Sequence, residues 1–290
     1  MKSISTLLLL LFCSNVHSIE PKGGDINNVI GLDIVHIGNG SFNIYAVNKY
    51  PVFMSANIIA KGGLINKNSL NFFKPFERKK VLSFNVGNDK SEINFTRLVT
   101  FGSLQTSNSY IYRIPFQDGV KTKITQSFGD NRKSTHYNLN DPSAEYAIDF
   151  QTDLGTPVVA SRAGVVVDAK YDSSEGCPDI SCMGKSNFVL IEHSDGTLAQ
   201  YAHFMQSKPI VKVDQQIKAG QIIGFVGSTG YSNGPHLHFE VSKPVWTGTN
   251  FQNRLFPLEL TDGDHVFRAK TGSIVAFSAN GRLISGLNEK

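Results

Sequence analysis

Short segments of alternating apolar and polar residues fill the first third of the chain. Between about residue 28 and residue 115 they read FNIYAVN, VFMSANIIA, KVLSFNV, INFTRLVTF and YIYRIPF, with turn-forming residues such as Lys61-Gly62-Gly63 between them. Alternation with a period of two, broken by turns at this spacing, predicts a small β-sandwich. His36 is the one histidine of this region, and we expect it to have a structural or solvated role.

A second series of strand-like segments begins near Lys121. These segments are KITQSF, YAIDFQ, TPVVAS, GVVVDAKY, NFVLIEH, LAQYAHF, QIIGFVG and HLHFEVS, and glycine-rich turns separate them. They predict an antiparallel, sheet-rich domain with one face open for a site. The residues from Thr261 onward contain one more possible hairpin. The predicted organisation is a leader at 1–18, a β-sandwich-like domain at 19–117, the sheet domain at 118–258 and an extension at 259–290.

The N-terminal sequence MKSISTLLLLLFCSNVHSIEP predicts a secretory leader. A lysine precedes a short apolar core, and Val16-His17-Ser18 forms a small-residue cleavage pattern. We therefore expect cleavage near Ser18 and a soluble mature protein in the periplasm or outside the cell. A buried strand or helix is the weaker alternative. No later segment approaches the ~20 apolar residues of a membrane span, so we expect no stable membrane insertion.

Removal of this leader leaves two of the three cysteines, Cys177 and Cys182. In an oxidising compartment this pair predicts a small disulfide loop, which contributes about 2 kcal/mol of stability in the chain-entropy model. Zinc binding by the two thiolates is the less favoured alternative, because thiolate sites usually have more ligands nearby.

Composition excludes several other classes of protein. The chain has 290 residues, of which 40% are hydrophobic and 18% charged, with a net charge of +4, so one or two globular domains are expected. Lysine and arginine are scattered rather than clustered, and we expect no nucleic-acid partner. No GxSxG motif is present, and GSTGYSNGP lacks the GK[ST] ending of a phosphate-binding loop.

The stretch GPHLHFEV contains the first residues suited to chemistry. In a strand, His236, His238 and Glu240 point to one face, while the apolar residues that alternate with them point to the core. Two imidazoles on the open face could place one nitrogen on a metal and the other near whatever the metal binds. Two surface histidines that meet by accident are the alternative.

A second candidate is Asp149 in YAIDFQ, on the face opposite to the apolar residues of that strand. A buried carboxylate needs a partner because an unpaired buried charge is costly. A cation or an arginine would satisfy it, and Arg162 is the candidate for a purely structural salt bridge. His136 precedes Asp149 in a polar loop, and His203 in QYAHF is predicted to share a strand face with Tyr201.

Taken together, YAIDF, GTPVVASRAGVV, the YAHF strand and VKVDQQIKAGQIIGFVGSTGYSNGPHLHFEV resemble the lysostaphin and LytM-type zinc metallopeptidases, which cut peptides of bacterial peptidoglycan. The motifs occur in the same order, and the resemblance extends from about Lys121 to Val241. The β-rich segment that ends in IYRIPF resembles the N-terminal domain of a subset of these proteins. The resemblance implies a mainly β fold, with an N-terminal β-sandwich-like domain followed by an antiparallel LytM-type peptidase domain.

Transferred position by position, the resemblance implies that His136, Asp149 and His238 bind one zinc ion. Commoner members of the family place the first ligand four residues before the aspartate. This chain has Glu145 there, so Glu145 is the alternative to His136.

The resemblance also implies that His203 and His236 are the catalytic histidines. The expected activity is that of a zinc metalloendopeptidase, a hydrolase that cleaves peptide bonds of peptidoglycan by attack of zinc-bound water. Peptidoglycan peptides are the expected partners. The alternatives are a non-catalytic LytM-like protein that binds the cell wall or activates an amidase, and an adhesion protein whose histidines are incidental.

Overall fold

The structure is a computed structural model that describes residues 29–89, 91–105, 110–128, 136 and 145–278. The predicted leader at 1–18 lies outside these residues. The described residues lie almost entirely in strands and turns, with a short 3-10 helix at Ile180–Cys182, which confirms the mainly β fold. None of the helices in these ranges is long and apolar enough to cross a membrane.

Two compact units make up the described part of the chain. The first contains the residues up to Ser103 together with Trp246–Phe251. The second contains Leu104–Val245 and the residues from Gln252 onward.

The first unit has two three-stranded antiparallel sheets, as expected for the β-sandwich-like domain. Its strands are β1 (Ile30–Gly38), β2 (Ser41–Asn48), β3 (Met54–Gly62), β4 (Ile65–Phe73), β5 (Arg78–Asn85) and β6 (Asn94–Phe101). The strand orders are β1-β2-β5 and β4-β3-β6. Alternation along β3 buries Met54, Ala56 and Ile58 completely, which explains why this strand was recognisable from its sequence.

The second unit is built around one large sheet. Its strands are β7 (Ile111–Arg113), β8 (Thr122–Gln126), β9 (Ile148–Gln151), β10 (Pro157–Val159), β11 (Gly164–Lys170), β12 (Gly176–Cys177), β13 (Phe188–Glu192), β14 (Leu198–Ala202), β15 (Gln216–Ile217), β16 (Ile222–Phe225), β17 (Gly230–Tyr231), β18 (Leu237–Trp246), β19 (Phe251–Leu255), β20 (Glu259–Thr261), β21 (Val266–Phe267) and β22 (Ile274–Val275). The last residue of β18 and the first of β19 belong to the first unit.

The large sheet has the order β15-β11-β13-β14-β18-β9-β8-β22, and β19 pairs with β18. The register of the central strands is decisive for the site. Ala202 on β14 is opposite His238 on β18, and His238 is opposite Asp149 on β9. One face of these strands is fully buried, as Phe150 and Phe239 illustrate, so the polar side chains that alternate with them lie on the other face.

The C-terminal extension completes this unit. β20 and β21 form the hairpin predicted from the sequence, and β22 pairs with β8 at the edge of the large sheet. β20 also pairs in parallel with β7. The sequence pattern had grouped the YIYRIPF segment, which contains β7, with the N-terminal strands, whereas the structure pairs it with the C-terminal region.

Candidate metal and catalytic site

Asp149 and His238 meet across the β9–β18 pairing. His238 Nδ1 lies 3.1 Å from Asp149 Oδ1, although 89 residues separate the two along the chain. Their direct opposition in the antiparallel register puts both side chains on the face away from the core. The alternation predicted for HLHFEV and YAIDFQ therefore produces a pair of potential metal ligands.

His136 lies at the same place. Its Nε2 atom lies 3.1 Å from Asp149 Oδ2, and its ring packs edge-on against His238 with centroids 5.0 Å apart. Potential ligand atoms of His136, Asp149 and His238 all lie within 4.8 Å of one another. Among the described residues, Glu145 is not part of this group.

Neighbouring polar groups fix the orientation of these side chains. Gln126 Nε2 donates a hydrogen bond of 2.7 Å to Asp149 Oδ2. Glu240 Oε2 lies 3.0 Å from His238 Nε2, on the side of the imidazole that faces away from Asp149. A ligating histidine commonly pairs its second nitrogen with a carboxylate, which holds the ring in place. The sequence placed Glu240 on this face but gave no indication of the contact.

His203 and His236 lie beside the three potential metal ligands, His136, Asp149 and His238, which we call the ligand group. Their ring centroids are 4.5 Å apart, and the His203 ring is 5.8 Å from that of His238. His203 Nδ1 is 2.7 Å from the carbonyl oxygen of Thr229, and His236 Nδ1 is 2.8 Å from that of Gly234. A carbonyl only accepts hydrogen bonds, so the Nδ1–H of each ring donates.

The expectation that His203 continues the face of Tyr201 is wrong. β14 ends at Ala202, and His203 has a left-handed backbone with φ of 67°. This conformation turns the imidazole out of the strand alternation, while Tyr201 remains fully buried. Left-handed non-glycine residues cost free energy and concentrate at functional sites.

The turn before β18 positions both of these histidines. Ser232 Oγ lies 3.3 Å from His236 Nδ1, and the Ser232 amide donates to the Cys177 carbonyl over 3.0 Å. Cys177 and Cys182 form the predicted disulfide. The disulfide loop therefore connects, through β12 and β17, to the segment that orients His203 and His236.

Electrostatics favour a bound cation in the ligand group. Burial on its own would raise the pKa of Asp149, but hydrogen bonds and charge from His136 and His238 outweigh it and hold that pKa well below its usual range. Burial would lower the pKa of His238, yet its hydrogen bonds to Asp149 and Glu240 raise it to about 10. Two carboxylates thus favour positive charge at this point of the site.

Burial, together with the neighbouring His238 and His236, lowers the pKa of His203 to about 3. His203 is therefore neutral near pH 7. The structural alternative for Asp149, a salt bridge with Arg162, is wrong: Arg162 binds Asp195 instead, with 2.8 Å between Nη1 and Oδ2.

A protein-family model matches part of the second unit. The model of peptidase family M23 matches residues 143–253, a range that includes Asp149, His203, His236 and His238 and begins after His136. This region of the chain is therefore similar to peptidase family M23 domains. The resemblance to lysostaphin and LytM-type enzymes that the motifs indicated is thereby confirmed.

Individual M23 relatives cover different parts of the chain. Lysostaphin from Staphylococcus staphylolyticus is 43% identical over 96 residues, which are 33% of this chain and 18% of lysostaphin. The peptidoglycan DD-endopeptidase ShyC from Vibrio cholerae is 33% identical over 118 residues, 41% of this chain and 24% of ShyC. The catalytic domain of the prophage-encoded M23 protein EnpA from Enterococcus faecalis is 30% identical, with coverage of 48% of this chain and 92% of that domain and a TM-score of 0.34. The chain thus spans about a quarter or less of the length of these two curated relatives.

Proposed function

We propose that this protein is a zinc metalloendopeptidase that hydrolyses peptide bonds of bacterial peptidoglycan in the periplasm or outside the cell. The observation that carries the proposal is the convergence of five side chains at one place in the second unit. His136, Asp149 and His238 form a three-ligand group, and His203 and His236 lie directly beside it.

The ligand group fits zinc. Nitrogen and oxygen ligands at about 2.0–2.2 Å from a tetrahedral zinc ion lie about 3.3 Å from one another. Asp149 Oδ2 lies 3.1 Å from His136 Nε2, Asp149 Oδ1 lies 3.1 Å from His238 Nδ1, and one potential ligand atom of each of the three residues lies within 4.8 Å of the others. Two imidazoles and one carboxylate are a ligand set of catalytic zinc sites, which keep a further position for water or substrate. When bound, zinc would polarise the peptide carbonyl and lower the pKa of a water ligand towards about 7.

His203 and His236 are suited to proton transfer. Because the Nδ1–H of each ring donates to a backbone carbonyl, Nε2 is the atom that accepts a proton from the attacking water and returns it to the leaving amine. The low pKa of His203 keeps this ring neutral, as an acceptor must be. Two adjacent histidines can serve the two ends of the scissile bond.

The substrate and the location follow from the family. Peptidoglycan is the substrate named for the relative from Vibrio cholerae, and the motifs resemble those of cell-wall peptidases. Peptidoglycan lies outside the cytoplasmic membrane, in agreement with the predicted leader at 1–18. The disulfide between Cys177 and Cys182 also supports an oxidising compartment.

The test is digestion of purified sacculi by the mature protein, followed by mass spectrometry of the released muropeptides and measurement of zinc per chain. We expect bound zinc and peptide products, and we expect Asp149→Ala to lose both. Asp153→Asn is the matched control, because Asp153 is an exposed aspartate just beyond the same strand. Zinc binding without any product would contradict the proposal and favour a non-catalytic wall-binding role.

A further inference from the structure

The first unit has an open groove of about 430 Å³ on the face of one of its sheets. The groove lies over the outer face of the β4-β3-β6 sheet and is bordered by the Trp246–Phe251 segment of the same unit. Its principal side chains are Asn57, Lys61, Asn66, Asn68, Leu98 and Trp246. None of the residues that line it is acidic.

Asn57 places a side-chain amide at the groove. It lies on the outer face of β3, between Leu70 on β4 and Leu98 on β6 in the strand register. Only 3% of Asn57 is exposed. Within the described part of the chain its amide makes no side-chain hydrogen bond. An amide can donate and accept hydrogen bonds at once, so a ligand in the groove could pair with it.

Trp246 provides a fixed aromatic surface. It is the single tryptophan of the chain, and Phe251 packs edge-on against it with ring centroids 5.0 Å apart. The turn between them is closed by hydrogen bonds from Thr247 to the Asn250 carbonyl. The indole is therefore held in place at the border of the groove before any ligand arrives.

The lining favours one class of ligand over others. β3 is hydrogen-bonded on both sides, to β4 and β6, so an extended peptide cannot pair with β3 by strand addition. The positive charges are those of Lys61 and Lys67, and Lys67 Nζ already donates to the Ser83 carbonyl over 3.0 Å. A nucleic acid or other polyanion requires more cations than this. Amides, which donate and accept at once, suit hydroxyl and acetamido groups.

We propose that this groove binds a strand of N-acetylated amino sugars, the glycan of peptidoglycan. The amides of Asn57, Asn66 and Asn68 pair with the hydroxyl and acetamido groups, and the Trp246 indole packs on the apolar C–H face of a sugar ring. Lys61 faces the carboxylates that the strand carries on its side groups. The choice of peptidoglycan as the source of this glycan rests on the proposed function, because a cell-wall peptidase acts on peptides that are attached to the glycan strand.

The single tryptophan allows a direct binding test on the full mature chain. Its fluorescence, excited beyond the tyrosine absorption band, reports on the groove and on no other site. We titrate with glycan strands freed of their peptides and with chitin oligomers. The expected result is a saturable change in emission with both, and no change with free stem peptides. No response to either sugar probe overturns the proposal, as does a response to stem peptides alone.

Variants locate the binding. Asn68→Ala and Lys61→Ala alter exposed residues of the groove, and we expect each to weaken glycan-strand binding by about fivefold to tenfold. The matched control is Asn94→Ala, because Asn94 is exposed, lies opposite Lys61 on β6 and does not line the groove. Equal affinities in all three variants would place binding elsewhere. Asn57→Ser is a further variant, accepted only if its melting temperature matches that of the wild type.

Different experimental results would refute the groove proposal and the proposed function. Asp149→Ala removes a ligand of the metal site but leaves the groove untouched, so we expect it to bind glycan strands with unchanged affinity. Glycan binding without hydrolysis by the wild type would refute the peptidase proposal alone. Hydrolysis without glycan binding would refute the groove proposal alone.

Discussion

Replacement of His203 separates catalysis from metal binding. The ring contacts the ligand group but is not part of it, and its Nδ1–H is committed to the Thr229 carbonyl. We expect His203→Asn to keep one zinc per chain while it loses most of the activity. Asparagine has an amide N–H for the carbonyl but no imidazole Nε2 to accept a proton.

The magnitude follows from the role of a general base or acid, which contributes about 10²–10⁴ in rate, or about 3–5 kcal/mol of transition-state stabilisation. The choice of substitute matters because His203 has φ of 67°. Asparagine tolerates this left-handed conformation better than alanine does. His203→Ala should therefore lose the same activity and in addition about 1 kcal/mol of folding stability relative to His203→Asn.

The assay combines kcat/KM on a soluble muropeptide, zinc content by elemental analysis and urea unfolding with zinc at saturation. Activity within tenfold of the wild type would show that His203 does not transfer protons. Loss of zinc together with activity would show that it is a ligand or a structural support. Either result would refute the assignment, whereas a loss of rate at constant zinc content supports it.

Three further predictions concern neighbouring parts of the second unit. His236→Ala should also keep zinc and lose about 10²–10⁴ in kcat/KM, because its ring lies beside the ligand group as that of His203 does; a tenfold loss or less would contradict this. Cys177→Ser should lower the melting temperature by about 4–8 °C, because a short disulfide loop contributes ~2 kcal/mol of stability. It should also reduce kcat, because the Cys177 carbonyl holds Ser232 beside His236. An unchanged kcat would show that the loop does not position the site. Burial lowers the pKa of His193 from 6.5 to about 4. The contribution of neutral, buried His193 to the free energy of unfolding should therefore be complete above pH 6.5, and the free energy of unfolding should fall by about 3 kcal/mol as the pH drops to 4. Urea unfolding at the two pH values should show a smaller fall in His193→Gln, and an equal fall in both proteins would exclude His193 as the cause.

The surroundings of His193 explain the expected fall in the free energy of unfolding at low pH. Its Nδ1 lies 2.8 Å from the Ala163 carbonyl, and its Nε2 is buried without a hydrogen-bond partner among the described residues. A proton added to Nε2 would create a buried cation whose new N–H has no acceptor there. The unfolded chain solvates the same proton freely.

Local sequence patterns predicted much of the fold where apolar and polar residues alternate along a strand. β3 and β18 alternate apolar residues with polar ones, and both were recognisable as strands. β1 and β4 were not predicted, because most of their residues are exposed or only partly buried and their sequences therefore alternate weakly. β1 pairs with β2, and β4 pairs with β3; these tertiary pairings make both segments strands.

Local patterns were enough to predict the β class, the shared face of His236, His238 and Glu240, and the disulfide partners, because each depends on spacing along a short stretch of chain. Three features emerged with the folded chain: His136 joins Asp149, His203 leaves its strand in a left-handed conformation, and Trp246–Phe251 belongs to the first unit. These depend on strand register and on loop paths between residues far apart in sequence. A local pattern contains no information on such pairings, since they are selected by the packing of the whole sheet.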